Sequence, residues 1–373
     1  MSHPANTPPA QNARMRSMDA LRGFNMFWIV GAEHIVESLR RIDTGGAVGF
    51  VAYELQHSPW EGFRFEDLIL PLFIFLMGAA VPFSLGKLRE SEGAHAATQR
   101  VRRRAALLYV IGVLYYGGFG DPLHSLRFLG VLQRIALCYL FASTLFLHVR
   151  VRTMVGTCAG ILVAYWAFLT FAPVPSVGHA SFAMNANWAS YIDQRFLPGR
   201  LWYGSWDPEG LLTTIPSFAT ALLGVFAGML LKCDSVRCRR KVEYLAVAGL
   251  ASVALGFLWG LQFPVIKNLW TSSFVLVAAG YSALLMAAFY WLIDLQRWRQ
   301  WAAPFLWIGA NALTIYLGVK LINLHSLLNW LVLHLTPRGS WDIYVGVAVT
   351  TAALSIEIAV LAVLYRRRIF FRV

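Results

Sequence analysis

The chain has 373 residues, of which 58% are hydrophobic and 14% charged, with a formal net charge of +13 and positive mean hydropathy. A soluble domain carries roughly 25% charged residues, so composition excludes a soluble enzyme and points to a protein embedded in a lipid bilayer. The 32 basic residues sit in short clusters between apolar segments, without an RNA- or DNA-binding motif, which argues against nucleic acid as a partner.

Residues 1–13 are polar and rich in Pro, Ala and Asn. They read as a disordered cytoplasmic tail and not as a signal peptide, because no apolar region with a small-residue cleavage site follows. Residues 14–373 read as one transmembrane domain. With about 20 apolar residues needed per crossing, spans are expected near 19–37, 67–86, 104–119, 127–147, 153–172, 210–231, 243–261, 270–293, 303–333 and 343–365. The ninth is too long for one straight helix, and its second half, "LINLHSLLNWLVLHL", is expected to tilt, break or lie in the interface. Two connecting segments are long, 38–66 and 173–209. The second contains "NANWASYIDQRFLPGRLWYGSWDPEG" and reads as a small folded, aromatic-rich cap.

Under this layout one set of loops holds 22 of the 32 basic residues and the opposite set holds eight. The excess alternates loop by loop, as the positive-inside rule requires. The expected fold is therefore an all-α polytopic membrane helix bundle of about ten transmembrane helices, with both termini cytoplasmic and the cap external.

Ionisable groups inside spans are costly and are functional candidates by default. Glu33 and His34 lie near the outer end of the first span, Asp67 opens the second, Gln133 and Arg134 lie in the fourth, and Lys320 and Glu357 lie in the ninth and tenth. The structural alternative is that Arg134 pairs with Asp67 or Glu33 to lock the bundle, with Lys320 and Glu357 also serving packing. His57 stands in "YELQHSPWEGFRFED" at the lip of a span. A lone interfacial histidine is usually just solvated. One flanked by acids can take or give a proton, or attack a carbonyl, and Glu33 or Asp67 are candidates to orient it. Trp188, Trp202 and Trp206 are either interface anchors or, near Asp207 and Glu209, platforms for sugar faces. Gly224 and Gly228 have the spacing of close helix packing. Cys138 and Cys158 lie in apolar segments. Cys233 and Cys238 lie in "KCDSVRCRRK" without histidines at zinc spacing, so neither a metal site nor a disulfide framework is expected.

Six stretches occur in order: "RSMDALRGFNMFWIVGAEH" (16–34), "LQHSPWEGFRFEDLILPLFIFLMG" (55–78), "RFLGVLQRIALCY" (127–139), "WDPEGLLTTIPSFATALLGVFAG" (206–228), "PVIKNLWTSSFVLVAAGYS" (264–282) and "GANALTIYLG" (309–318). Together they resemble the heparan-α-glucosaminide N-acetyltransferase family, in the form of a bacterial-type member without the lysosomal N-terminal domain. The resemblance implies an acetyl-CoA-dependent transmembrane acyltransferase of the bacterial inner membrane. Acetyl-CoA would be supplied from the cytoplasm, and the acceptor would be free glucosamine or the terminal glucosamine of a glycan on the outer face.

His57 falls on that family's active-site histidine. Counted without a gap from "LRG", an asparagine also needed by the lysosomal enzyme corresponds to Glu33. A carboxylate can act as a base where an amide only hydrogen-bonds. The expected catalytic pair is therefore His57 and Glu33, acting in a ternary complex or through an acetyl-imidazole. Trp60, Asp67, Gln133, Arg134, Trp206, Asp207, Lys267 and Asn268 are the expected substrate-binding residues. The phosphates of CoA suit the basic inner loops, with no single residue assigned, no metal is required, and a homodimer is left open. Two rival readings remain: an O-acetyltransferase of a surface or lipid-linked polysaccharide, and a secondary transporter of a sugar or anion.

The layout has a direct check. In a cysteine-depleted background, a cysteine placed in 88–99 is expected to react only with reagent on the cytoplasmic side, and one in 176–186 only with reagent outside. Reaction of both from one side overturns the ten-span arrangement.

Overall fold

The structure, a computed structural model, describes residues 15–40, 45–117, 122–322, 324, 326–328, 330 and 342–370. The expected tail at 1–13 and most of the second half of the ninth expected span lie outside these residues.

Helices account for the architecture. They are α1 (Arg16–Phe27), continued through a π-helical turn at Trp28–Ala32 into α2 (Glu33–Arg40), then α3 (Gly46–Glu54), α4 (Phe65–Tyr116), α5 (Val131–His148), α6 (Val151–Phe171) and α7 (Trp188–Phe196). There follow α8 (Leu211–Lys232), α9 (Cys238–Gly260), α10 (Ser272–Phe289) with a π-helical end at Tyr290–Leu295, α11 (Ala303–Ala310), α12 (Ala312–Ile322) and α13 (Asp342–Arg366). Among the described residues β pairing is limited to one bridge, Arg127 to Gly199.

Seven of the described helices are long and apolar enough to cross a membrane, or eight if the pair broken at Asn311 is one span. The outer faces fit that reading. Val247, Leu250, Leu255 and Leu258 of α9, Val155 and Val163 of α6 and Val360 of α13 are all exposed. Apolar surface on this scale needs a lipid or protein partner.

α4 is counted once, yet it is two antiparallel legs. Gly224 lies against Phe75 and Gly228 against Ala79, so the first leg runs parallel to α8. Arg134 bonds Thr213 and Cys138 meets Ser217, so α5 also runs parallel to α8. Thr98 meets His148, and Gly112 packs on Gln133, so the second leg runs antiparallel to α5. The turn between the legs is Gly93, at φ 86° and ψ 169°, a backbone region open to glycine. The two expected spans 67–86 and 104–119 correspond to these legs. The expected loop between them is helical because "KLRESEGAHAATQRVRR" is rich in Lys, Glu, Ala, Gln and Arg, all good helix formers.

The ninth expected span breaks earlier than its sequence suggested. Asn311 takes φ −125° and ψ 34°, which separates α11 from α12. The core is the seam of the first α4 leg, α8 and α10, where Phe75, Leu76, Leu222, Val225, Phe274 and Val277 are buried. At the basic end, Lys232 donates to the Pro82 carbonyl at 3.1 Å and Lys241 to the Leu231 carbonyl at 2.7 Å. The second bond occupies a carbonyl in the last turn of α8, one that a helix end leaves open.

α4 and α8 meet backbone to backbone because glycine permits it. A Cβ on Gly224 would stand 2.1 Å from the Phe75 carbonyl oxygen, whereas one on Gly160 meets nothing within 4 Å. Gly224→Val is therefore expected to lower the thermal midpoint in detergent, at a cost of about 1–3 kcal/mol or more. Gly160→Val is expected to leave it near that of the parent, and equal effects of the two would overturn this account of the seam.

Candidate active site

The site is built at the end of the bundle opposite the basic loops, from the segment joining α3 to α4. Asp67 occupies the third position of α4, and one of its carboxylate oxygens accepts from the backbone N–H of Arg64 at 3.1 Å and of Ser58 at 3.2 Å. The first of these bonds is half of a capping box, and the helix N-terminus favours the negative charge. Glu54 adds a second acceptor, taking the Phe65 N–H at 3.1 Å. Arg64 closes the loop by donating to the His57 carbonyl at 3.1 Å while lying over the Tyr53 ring. Much of the charge in "YELQHSPWEGFRFED" is thus spent on folding the loop, and His57 is left with its side chain 56% exposed.

The other wall is the turn before α10. Thr271 caps α10 by accepting from Phe274, takes the Ile266 N–H, and donates to the Pro264 carbonyl. Tyr165 of α6 donates to the Leu269 carbonyl at 2.6 Å. Gly62 of the histidine loop donates to the Val265 carbonyl at 2.8 Å, which ties the two loops together. The turn presents Lys267, whose Nζ lies 2.9 Å from His57 Nδ1 and 3.5 Å from Asp67 Oδ1. Asp67 Oδ1 is 3.3 Å from His57 Nδ1. It is at ion-pair range of both groups without an aligned hydrogen bond to either.

This geometry gives the imidazole two states. An ammonium only donates, so when Lys267 bonds Nδ1 the ring proton sits on Nε2. When Nδ1–H turns to the Asp67 carboxylate, the Nε2 lone pair is free to accept a proton or attack a carbonyl.

Aromatic rings connect the site to the cap. Trp60 donates to the Phe182 carbonyl at 2.8 Å and packs edge-on against Trp206, which also stacks on the ring of Tyr203 at 4.4 Å. The cap is pinned by a second, buried cluster. Arg127 makes a bidentate pair with Asp207 at 2.9 and 2.5 Å and reaches Glu209 at 2.5 Å. The Tyr116 and Trp202 rings lie against its guanidinium.

The expected substrate residues therefore separate. Asp67 and Lys267 join His57, Asn268 follows Lys267 in the same turn, and Trp60 and Trp206 form the adjoining wall. Asp207 is committed to Arg127 and to the N–H groups of Trp202 and Glu209. Gln133 is fully buried and donates to the Arg127 carbonyl at 3.1 Å. The expected alternative of Arg134 pairing with Asp67 is not what the structure contains, and the one with Glu33 falls on a side chain outside the described residues. Fully buried Arg134 donates to the Pro208 carbonyl and to Thr213, and lies over Trp270. Asp67 is taken instead by His57 and Lys267, because its place on α4 aims it at the loop. Glu33 belongs to α2, and its side chain lies outside the described residues. Lys320 lies over Tyr115 and Tyr116 and bonds the Tyr115 carbonyl.

The sequence reading missed the roles of Arg127 and Asp193. Arg127 is one of the eight basic residues of the less basic set of loops. The signal available was its place at the head of "RFLGVLQR", opposite the acid pair of "WDPEG".

Fold and site together define a multi-pass membrane protein with an acid–base cluster at one mouth of its bundle. Comparison with known proteins specifies it further: the family described as heparan-alpha-glucosaminide N-acetyltransferase, catalytic, matches residues 14–258, and the chain belongs to that family. It is 26% identical over 427 residues to heparan-alpha-glucosaminide N-acetyltransferase of Homo sapiens, covering 96% of this chain and 60% of that protein. Against the Mus musculus protein of the same name it is 25% identical over 426 residues, with the same coverage. The chain thus spans about three-fifths of the length of these relatives. Lys267 lies beyond the family match and within the longer alignments.

Asp193 of α7 gives the cap a pH dependence. It is buried, with Oδ1 accepting the Leu211 N–H at 2.9 Å and Oδ2 unbonded beneath Gly210. Burial pushes its carboxyl up to about 6, with Asp207 adding to the rise and the backbone N–H groups and Arg134 opposing it. The folded cap therefore holds this proton more tightly than the unfolded chain, whose value is near 3.8. The resulting stability, about 2–3 kcal/mol, is complete below pH 4 and lost as pH rises through 6. Protease sensitivity of 173–209 is expected to increase between pH 5 and 7 and to change little in Asp193→Asn. An equally steep rise in the variant would remove Asp193 as the cause.

Proposed function

We propose that the chain transfers an acetyl group from acetyl-CoA, supplied at the basic end, to the amine of glucosamine or of a glycan's terminal glucosamine at the cap end. The observation that carries this reading is the convergence of His57, Asp67 and Lys267 within 3.5 Å at the cap end, in a member of this family. In the proposed layout the bundle makes ten crossings of a bacterial inner membrane, counting α1–α2, the two legs of α4 and the α11–α12 pair as four of them. Both termini and the basic loops are cytoplasmic.

In the proposed reaction the amine nitrogen attacks the thioester carbonyl, a C–N bond forms and the C–S bond breaks. His57 Nε2 takes the amine proton and returns it to the departing thiolate of CoA. Asp67 holds Nδ1–H and stabilises the imidazolium, the role an acid plays behind a catalytic histidine. Lys267 keeps the pair from becoming a net buried anion and, with Asn268, supplies donors for the tetrahedral oxygen. Trp60 and Trp206 form an apolar wall for the sugar ring. Arg127, Arg134, Gln133 and Asp207 hold the cap in place and touch no reacting atom. Glu33 is retained as a second acid near the same end of the bundle.

A general base contributes about 10² to 10⁴ in rate. His57→Ala is expected to lose acetyl transfer by that factor, followed as thiol release with glucosamine as acceptor, while binding of acetyl-CoA is kept. Lys267→Met is expected to slow turnover with little effect on folding, because the loop is held by backbone bonds through Thr271 and Gly62. Wild-type rates in His57→Ala would falsify the assignment. Acetyl label trapped on His57 without acceptor favours the covalent route, transfer to hydroxyl-only sugars favours O-acetylation, and sugar uptake independent of CoA favours a transporter.

A further inference from the structure

Away from the His57 cluster, the bundle contains a seam where two irregular backbones meet. α1 loosens into its π-helical turn at Trp28–Ala32, and the chain breaks at Asn311 between α11 and α12. The two discontinuities share one apolar cluster, with Met26 and Val30 packed among Ile308, Ala312 and Ile315. Irregular backbone at membrane depth is tolerated where protein buries it or where it lines a path, and π-helical turns are frequent at functional sites.

The side chains at this seam point to a ligand. Asn311 is 1% exposed, and neither its amide nitrogen nor its amide oxygen has a hydrogen-bond partner among the described residues. Thr314 Oγ1, one turn further along α12, and Trp28 Nε1 in the π-helical turn are likewise buried and unbonded. A side chain with both a donor and an acceptor idle in apolar surroundings is matched by a group that offers both, and a secondary amide does so. The seam leads toward the acid–base cluster, since Trp28 packs edge-on against Phe65, two residues before Asp67.

We propose that this seam is the track of the pantetheine arm of acetyl-CoA, with Asn311 pairing one of its two secondary amides and Thr314 a second polar group. The inference rests on the acetyl-transfer reading above and adds the route by which the thioester reaches His57. An arm with amides and a hydroxyl spaced along a flexible chain satisfies idle groups strung along α12 and α1. A lipid acyl chain would leave them unbonded.

The test uses the full chain in detergent, with acetyl-CoA as ligand and adenosine 3′,5′-bisphosphate, a CoA head lacking the arm, as competitor. Asn311→Leu and Thr314→Val are each expected to weaken acetyl-CoA by on the order of tenfold, the scale of losing a buried hydrogen bond, while the competitor's affinity changes less than twofold. The thermal midpoint of each is expected to stay level or rise, because an apolar side chain replaces an unbonded polar one. A packing role would instead lower the midpoint and leave affinity alone. Unchanged acetyl-CoA affinity in the variants that fold, or an equal loss for the competitor, overturns the track. Wild-type protein that binds no acetyl-CoA overturns the acetyl-transfer reading itself.

Discussion

The carboxylate of Asp67 is the point on which the cap end depends. One oxygen is consumed by two backbone N–H groups, Ser58 and Arg64, which fixes the histidine loop onto the start of α4. The other oxygen faces His57 and Lys267. Folding and the proposed chemistry thus share a side chain that is almost fully buried, with its two oxygens divided between them. Backbone donors and the helix N-terminus stabilise the charge where water cannot. A neutral or shorter side chain there would release the loop as well as the imidazole, so Lys267 and His57 are the cleaner probes of chemistry.

The cap obeys a different constraint, that of charge balance in a poorly solvated place. Arg127 and Arg134 stand near Asp207 and Glu209, two cations and two anions. Burying such groups costs several kcal/mol each unless they are paired and bonded. Arg127 meets the requirement with three hydrogen bonds and two rings. Arg134 meets it less completely, through Pro208, Thr213 and the Trp270 face, with Nε and Nη1 left unbonded. Because the Trp270 N–H also bonds the Lys267 carbonyl, the cluster that holds the cap also underlies the turn that presents Lys267. Polar residues at membrane depth invite a catalytic reading. Here the hydrogen-bond partners found for Arg127, Gln133, Arg134 and Asp207 lie within the cap and its supporting helices.

What could be read in the sequence follows from how far each signal reaches. Apolar runs and alternating basic clusters are local, so the helical class and the extents of α5, α6, α8 and α10 were visible within a few residues. The helical continuation through 87–103 was hidden, because hydropathy registers burial in lipid and not helix propensity. The break at Asn311 was misplaced for the opposite reason, since "GANALTIYLG" carries no proline to mark it. His57 and Asp67 were both visible as candidates. Lys267, some 200 residues further on, could be named only through a motif, because no local pattern reports a pairing made by two loops. The partners of Arg134, the Pro208 carbonyl and Thr213, come from a segment 74 to 79 residues away, and no local pattern in α5 reports them.

The helices also divide by regularity. The first α4 leg, α8 and most of α10 are regular α-helices in close contact, and they carry the loops that present His57, the cap and Lys267. The irregular elements lie together beside them. The π-helical turn after α1, the π-helical end of α10 and the break at Asn311 all border α1, which bonds Asp294 through the Ser17 N–H and packs on α11 through Gly23 and Gly309. A transfer between reactants from opposite sides of a membrane needs both kinds of structure. The reacting groups must be held to within a fraction of an ångström, which suits a close-packed, regular half. The donor must pass along the bundle, which suits a half whose backbone departs from the α-helix and leaves polar groups unbonded. Under the proposed activity, a regular half fixes the chemistry at the cap end while an irregular half admits the donor, so neither substrate has to cross the membrane whole.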